Sequence, residues 1–197
     1  SNDGFLAINI DECEVNNLFK LCKYLFYKVK ICKWEKLHPY FDKNRNVDHN
    51  KKVVKYEFII ICFKSKESKL NNLKQPYLEG DILKEIDSKV PNIFRCFGTS
   101  SSAKDEIQAI FGERTYFQTP KPLKLLKELV RATTNKDSIV LDFFAGSGTT
   151  GHAVIDLNKE DNGNRKYILI SNNESNICED VTLKRIKMFD PNVNFID

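Results

Sequence analysis

No C-x-x-C pair occurs in this 197-residue chain, although it has six cysteines, at 13, 22, 32, 62, 96 and 178. Scattered in this way, several of them inside apolar runs such as FIIICF, they read as reduced and mostly buried thiols. That excludes a disulfide frame or a zinc ribbon and points to the cytoplasm. No run of about 18 apolar residues is present, and no short apolar segment with a basic flank opens the chain, so neither a membrane span nor a signal peptide is expected. A large charge excess is missing too. Lys plus Arg number 31 against 27 for Asp plus Glu, a net +4, well short of the basic footprint of a small nucleic-acid-binding module. The excess that exists lies mostly in the first half, in KNRNVDHNKKVVK and CFKSKESK. Each run reads either as a solvated lysine-rich face or as a phosphate-contacting surface. The three histidines, His38, His49 and His152, stand in unrelated contexts, so no metal centre is expected; His152 reads as a packed or solvated helix residue.

The length allows one main domain, or one core with an appended recognition region, at roughly 100–200 residues per domain. GFLAINID reads as a buried strand, and Leu18, Leu21, Leu25 and Phe26 fall on one face of a following helix. Residues 31–52 show no clear period and read as loop, whereas KYEFIIICFKS, residues 55–65, is nearly continuous in apolar and β-branched residues and reads as a second strand. Residues 67–114 break into short pieces. One helix is expected within YLEGDILKEIDSKVPNIF and another in GTSSSAKDEIQAIFG, entered through serines and ended at Gly112. This composition fits an inserted region better than a core.

Beyond Thr115 the signals sharpen. TPKPLKLLKELVRAT places Pro122 near a helix start, where its missing N–H costs nothing, with Leu125, Leu126 and Leu129 on one face. SIVLDFF reads as a short buried strand, TTGHAVIDLN as a helix, RKYILIS as a strand and NICEDVTLKRIKMF as a final helix. That succession is the rhythm of an open α/β sheet. The phrase LDFFAGSGTTGHAV therefore puts a glycine-rich turn at the C-terminal edge of a strand, where open α/β sheets bind ligands. A phosphate-cradling P-loop would need a lysine directly after Gly148, which is absent. Gly146, Gly148 and Gly151 do satisfy G-x-G-x-x-G, so a dinucleotide-binding turn and a tight βα turn without a ligand both stay open.

The whole phrase is more specific than its glycines. DFFAGSGTTGHAV, preceded by FQTPKPLKLLKELV and followed by LNKEDNGNRKYILISNNE, closely resembles the cofactor-binding half of β-order amino-group DNA methyltransferases, above all the modification subunits of type III restriction systems. DGFLAINIDECEVNNLFKLCKYLF and KYEFIIICFKSK resemble strands and a helix of the same family. The resemblance implies a Rossmann-like, S-adenosylmethionine-dependent α/β sheet with helices on both faces and a small inserted region. It implies that Asp142, Phe144, Gly146, Ser147, Gly148 and Thr149 form the cofactor turn, with Phe117, Thr119, Lys121 and Pro122 beside it. By the analogous logic for sugar hydroxyls, Glu174 after the next strand is a candidate ribose acceptor; a solvated helix-start carboxylate is the other reading. The implied organisation is 1–65 as the trailing part of the catalytic half, 66–115 as a reduced target recognition region in which Lys89, Arg95 and Arg114 meet DNA, and 116–197 as the cofactor half.

Such enzymes turn the target base out of the stack and hold it with a polar residue, Pro-Pro and an aromatic. No Pro-Pro occurs here; FDPNVNF and HPYFD both lack the second proline, and no Pro-Cys is present for attack on a cytosine ring carbon. In the β order the missing motif precedes everything seen here, so the chain is expected to be the C-terminal part of a longer adenine-amino methyltransferase, inactive by itself. The implied partners are double-stranded DNA, a restriction subunit and a second copy. The competing reading is an inactive relic or accessory chain that binds S-adenosylmethionine or a partner; a dinucleotide-dependent enzyme on the same turn is the third.

Overall fold

Six residues running from Phe58 to Phe63 are apolar without interruption, and such a run is stable as a strand only where both of its faces are covered. In a computed structural model, which describes residues 2–36, 56–80 and 82–196, they lie in the central strand of a mixed sheet. Two units make up the chain, residues 1–99 and 100–197.

In the first unit, β1 (Phe5–Ile10) and β2 (Lys28–Glu35) flank β3 (Tyr56–Phe63) on either side, both antiparallel to it, and the short β6 (Ile93–Phe94) extends the sheet parallel to β2. Helix α1 (Val15–Leu25) covers one face, where Val15 and Cys22 pack on Ile60 and Cys62. Ile59 to Cys62 are almost wholly buried, as the continuous run requires. β1 is an edge strand and only half-buried, with Leu6 and Ala7 facing out or partly out, so the expectation of a buried strand there is corrected.

The loop expected from residue 31 is also corrected over its first residues, which belong to β2. The period of two was hidden because lysines alternate with the inward residues: Cys32 and Trp34 are buried while Lys33 between them is exposed. Residues 37–55 lie outside the described residues, and with them the rest of that expected loop, HPYFD, the run KNRNVDHNKKVVK, His38, His49 and the first residue of the expected second strand.

The helix expected near 77–94 is instead a hairpin. β4 (Leu73–Glu79) pairs antiparallel with β5 (Ile82–Ser88), and Gly80 at φ +61° makes the tight turn between Glu79 and Ile82. Pro76 lies within β4, a position that a two-stranded ribbon tolerates.

The second unit opens with α2 (Ser100–Phe111), entered through serines and stopped before Gly112 as expected. α3 (Leu123–Thr133) starts immediately after Pro122, which is its N-cap. Then β7 (Ile139–Asp142), α4 (Thr149–Asp161) and β8 (Lys166–Leu169) form a βαβ unit whose two strands pair in parallel, Asp142 opposite Leu169. Val140 and Tyr167 on one face of this pair pack on Val130, Val154 and Leu157 of α3 and α4. The other face carries Ile139, Leu141 and Ile168, each at least 43% exposed, so β7 is not the fully buried strand expected. The final helix is interrupted. A 3₁₀ turn at Glu174–Asn176 leads to a π-helical turn at Cys178–Leu183, and only Lys184–Phe189, α5, is regular.

The candidate cofactor turn

β7 ends at Asp142, and the chain must reverse within six residues to enter α4. Asp142 closes this turn from inside. One carboxylate oxygen accepts the Phe144 N–H at 2.9 Å and the other accepts the Thr150 hydroxyl at 2.5 Å. Gly146 and Gly148 take φ of +52° and +72°, a left-handed conformation that costs an L residue roughly 1–2 kcal/mol. The Gly148 N–H bonds to the Ala145 carbonyl at 2.7 Å, and Thr182 from the π-helical turn donates its hydroxyl to the Gly146 carbonyl at 2.6 Å.

Space is as tightly drawn as conformation. A Cβ on Gly146 would stand 3.4 Å from the Phe117 ring and one on Gly148 3.2 Å from the Thr182 carbonyl oxygen. One on Gly151 would meet the tips of Ile186 and Leu169 at 2.7 and 2.8 Å. The first two glycines thus shape the turn, and the third lets α4 lie close on β8 and α5, the division of labour expected of a glycine-rich ligand turn.

A cavity of about 590 Å³ is lined on one side by residues 115–119 and on the other by Ser175, Ile177, Asp180 and Val181. That volume is within the range of small-molecule sites. Phe117 belongs both to this cavity and to the turn, since its ring lies against Gly146. Tyr116 fixes the wall: it stacks on Phe111 at 4.4 Å between ring centroids, and its hydroxyl donates to the Asp180 carbonyl at 3.1 Å. Ser175 and Asn176 on the opposite side have φ of +55° and +57°. Non-glycine residues held there are strained, and such strain clusters at ligand sites.

The residues expected at the site divide by geometry. Phe117 and Thr119 line the cavity; Gly146 and Gly148 form the turn beside it; Phe144 projects at 92% exposure as free aromatic surface. Ser147 and Thr149 are buried, their hydroxyls 3.0 Å apart, so their side chains brace the turn from beneath. Pro122 is buried at the start of α3, and Lys121 before it is half-buried. Glu174 is exposed and receives the Asn172 amide at 3.3 Å, one residue before the cavity-lining Ser175. Of the basic residues assigned to DNA, Arg114 is held by Asp105 at 2.7 Å and by the Ser101 hydroxyl at 2.7 Å, Arg95 faces Glu35 at 3.5 Å, and Lys89 is exposed.

Sequence reasoning missed Tyr116, Thr182 and Arg185. Arg185 is fully buried in α5, and its guanidinium donates to the Thr149 hydroxyl at 2.9 Å. A second nitrogen of the guanidinium lies 3.2 Å from Nδ1 of His152. That ring is packed, not solvated: it is buried and stacks on Phe189 with centroids 3.7 Å apart. Burial and the neighbouring guanidinium lower its pKa to about 4, which keeps it neutral. No group of His, Cys, Asp and Glu among the described residues forms a metal site, and no described helix is long and apolar enough to cross a membrane.

A family model described as DNA methylase, of the N6/N4 class, matches residues 1–181. The Mod subunit of the type III restriction-modification enzyme StyLTI from Salmonella typhimurium strain LT2 is 52% identical over 71 residues, 36% of this chain and 11% of that protein. The EcoPI Mod subunit of Escherichia phage P1 is 47% identical over 76 residues, 39% and 12% of the two chains. The matched stretch thus spans only about a tenth of either subunit. Among solved structures, M1.HpyAVI superposes with a TM-score of 0.58 at 20% identity, over 98% of this chain and 75% of its own.

Proposed function

The chain belongs to the N6/N4 DNA methylase family, and from that premise we propose that residues 116–197 bind S-adenosylmethionine as the cofactor half of an adenine-amino DNA methyltransferase resembling type III modification subunits. The observation that carries the reading is the turn itself. Two left-handed glycines, closed by Asp142 and roofed by Phe117, leave a cradle that a Cβ on Gly146 would fill. S-adenosylmethionine fits the donor set: a sulfonium cation needs acceptors, and an adenosine needs apolar walls. Asp142 and the turn carbonyls are acceptors, Phe117 is an aromatic wall, and Phe144 adds an exposed aromatic face next to the turn. When bound, the cofactor supplies an activated methyl group.

What this chain contributes is binding and orientation. The N–H groups of the first turn of α4 have no partners within the helix and can meet the cofactor's carboxylate, while Thr119 and the 175–181 loop border the cavity. Transfer to an amino nitrogen is direct, and catalysis rests on positioning and charge placement. The groups that would hold the base are not among these 197 residues, which contain no Pro-Pro; this chain alone therefore binds cofactor without methylating DNA. In the same proposal residues 1–65 are the trailing part of the catalytic half and 66–115 a reduced target region meeting double-stranded DNA. A restriction subunit and a second copy are its partners, and the cytoplasm is its compartment.

Photocrosslinking tests the site. Ultraviolet irradiation of the chain with methyl-labelled S-adenosylmethionine should label peptides containing residues 115–119 or 142–149, and excess S-adenosylhomocysteine should prevent it. Labelling confined to the first unit would refute the assignment.

A further inference from the structure

Two stretches expected at the candidate site, the turn at 146–149 and the segment at 117–122, are distant in sequence, and one relay joins them through the buried Arg185. From α2, Glu106 accepts the Leu123 N–H with both carboxylate oxygens, at 3.2 and 3.0 Å; Leu123 directly follows Pro122. The same carboxylate lies 3.7 Å from the Arg185 guanidinium. Arg185 in turn donates to Thr149 at 2.9 Å and points a third contact at the Ser147 carbonyl, 3.4 Å away. We propose that Glu106 and Arg185 are positioning residues that hold the glycine turn and the 117–122 segment in register, with the Glu106 charge keeping the guanidinium aimed at the turn. The inference rests on the S-adenosylmethionine reading of that site.

The physical argument is one of charge compensation. A guanidinium with no exposed surface needs a counter-charge, and one left uncompensated will seek other acceptors. The charged groups around it are Glu106 from α2 and, beyond the His152 ring, Asp156 from α4. Glu106 itself faces Arg185, the Leu123 amide and Asp105 on its own helix. Burial, outweighing the amide and the guanidinium, pushes its pKa up to about 7. The relay is therefore charged above neutral pH and discharged below it.

Glu106→Gln keeps an acceptor for Leu123 and removes the charge. In the full chain, titrated calorimetrically with S-adenosylmethionine, it should bind about tenfold more weakly than the parent at pH 8. The gap should close at pH 6, where the parent's own carboxyl is protonated. Amide resonances of Ser147 and Thr149, which do not touch Glu106, should shift in the variant without any ligand. Equal affinity at pH 8, or a deficit of the same size at both pH values, would overturn the relay, and so would unmoved turn resonances. If the parent binds no cofactor at either pH, the reading of the site fails; the turn resonances still decide whether the relay exists.

Discussion

Gly148→Ala isolates the conformational demand of the turn. At φ +72° the alanine pays roughly 1–2 kcal/mol for the left-handed region. Its Cβ would stand 3.2 Å from the Thr182 carbonyl oxygen and 3.4 Å from the Thr182 methyl, in a π-helical turn that also donates to the Gly146 carbonyl. Relief must come either from the turn or from 178–183, so the steric term adds to the conformational one. For a chain of this length each kcal/mol moves the melting temperature by about 2–4 °C, so the conformational term alone gives a fall of about 2–8 °C, and the steric term deepens it. Thermal melts followed by far-ultraviolet circular dichroism measure it, and hydrogen exchange should quicken at 145–149 and 178–183 together. A variant that melts with the parent, with unchanged exchange in both segments, would refute the geometry of the turn.

Three further outcomes are expected. Gly151→Ala, whose Cβ would overlap Ile186 and Leu169, should lower stability by overpacking, about 1–3 kcal/mol less the gain in helix propensity; its folded fraction should still bind cofactor, and a melt equal to or above the parent's would contradict the packing. Because the Glu106 pKa is raised from 4.5 to about 7, its contribution to stability is present below pH 4.5 and lost as pH rises through 7; Glu106→Gln should therefore gain on the parent between pH 5 and pH 8 in urea titrations, and an identical pH dependence would count against the shift. Incubated with labelled cofactor and duplex DNA, the chain should transfer no more methyl than Gly146→Asp, and transfer above that control would show that the base-holding groups are not needed.

The βαβ unit of the second half was legible because its signals are local and redundant. A proline-started helix, a strand ending in Asp142 and three glycines at fixed spacing each point to the same βαβ unit, and the chain folds so. β2 was hidden because the lysines interleaved with Cys32 and Trp34 blurred the period. The β4–β5 hairpin was hidden because its strands are exposed and charged, and a short run such as ILKEIDS fits a helix as readily as a ribbon. Arg185 left no trace at all: a lone arginine in a helix reads as solvated, and only tertiary packing reveals that it lies beneath the turn. The polar interior of the site, Arg185, His152, Glu106 and Thr182, is long-range in sequence and was beyond any pattern of spacing.

The most direct test of the central claim is a calorimetric titration of the chain with S-adenosylmethionine, beside Gly146→Asp and a parallel titration with NAD. Saturable one-to-one binding of S-adenosylmethionine, lost in Gly146→Asp and absent for NAD, is the result the turn predicts. No binding by the parent chain, or binding that survives Gly146→Asp, would contradict it, and a preference for NAD would hand the turn to a dinucleotide.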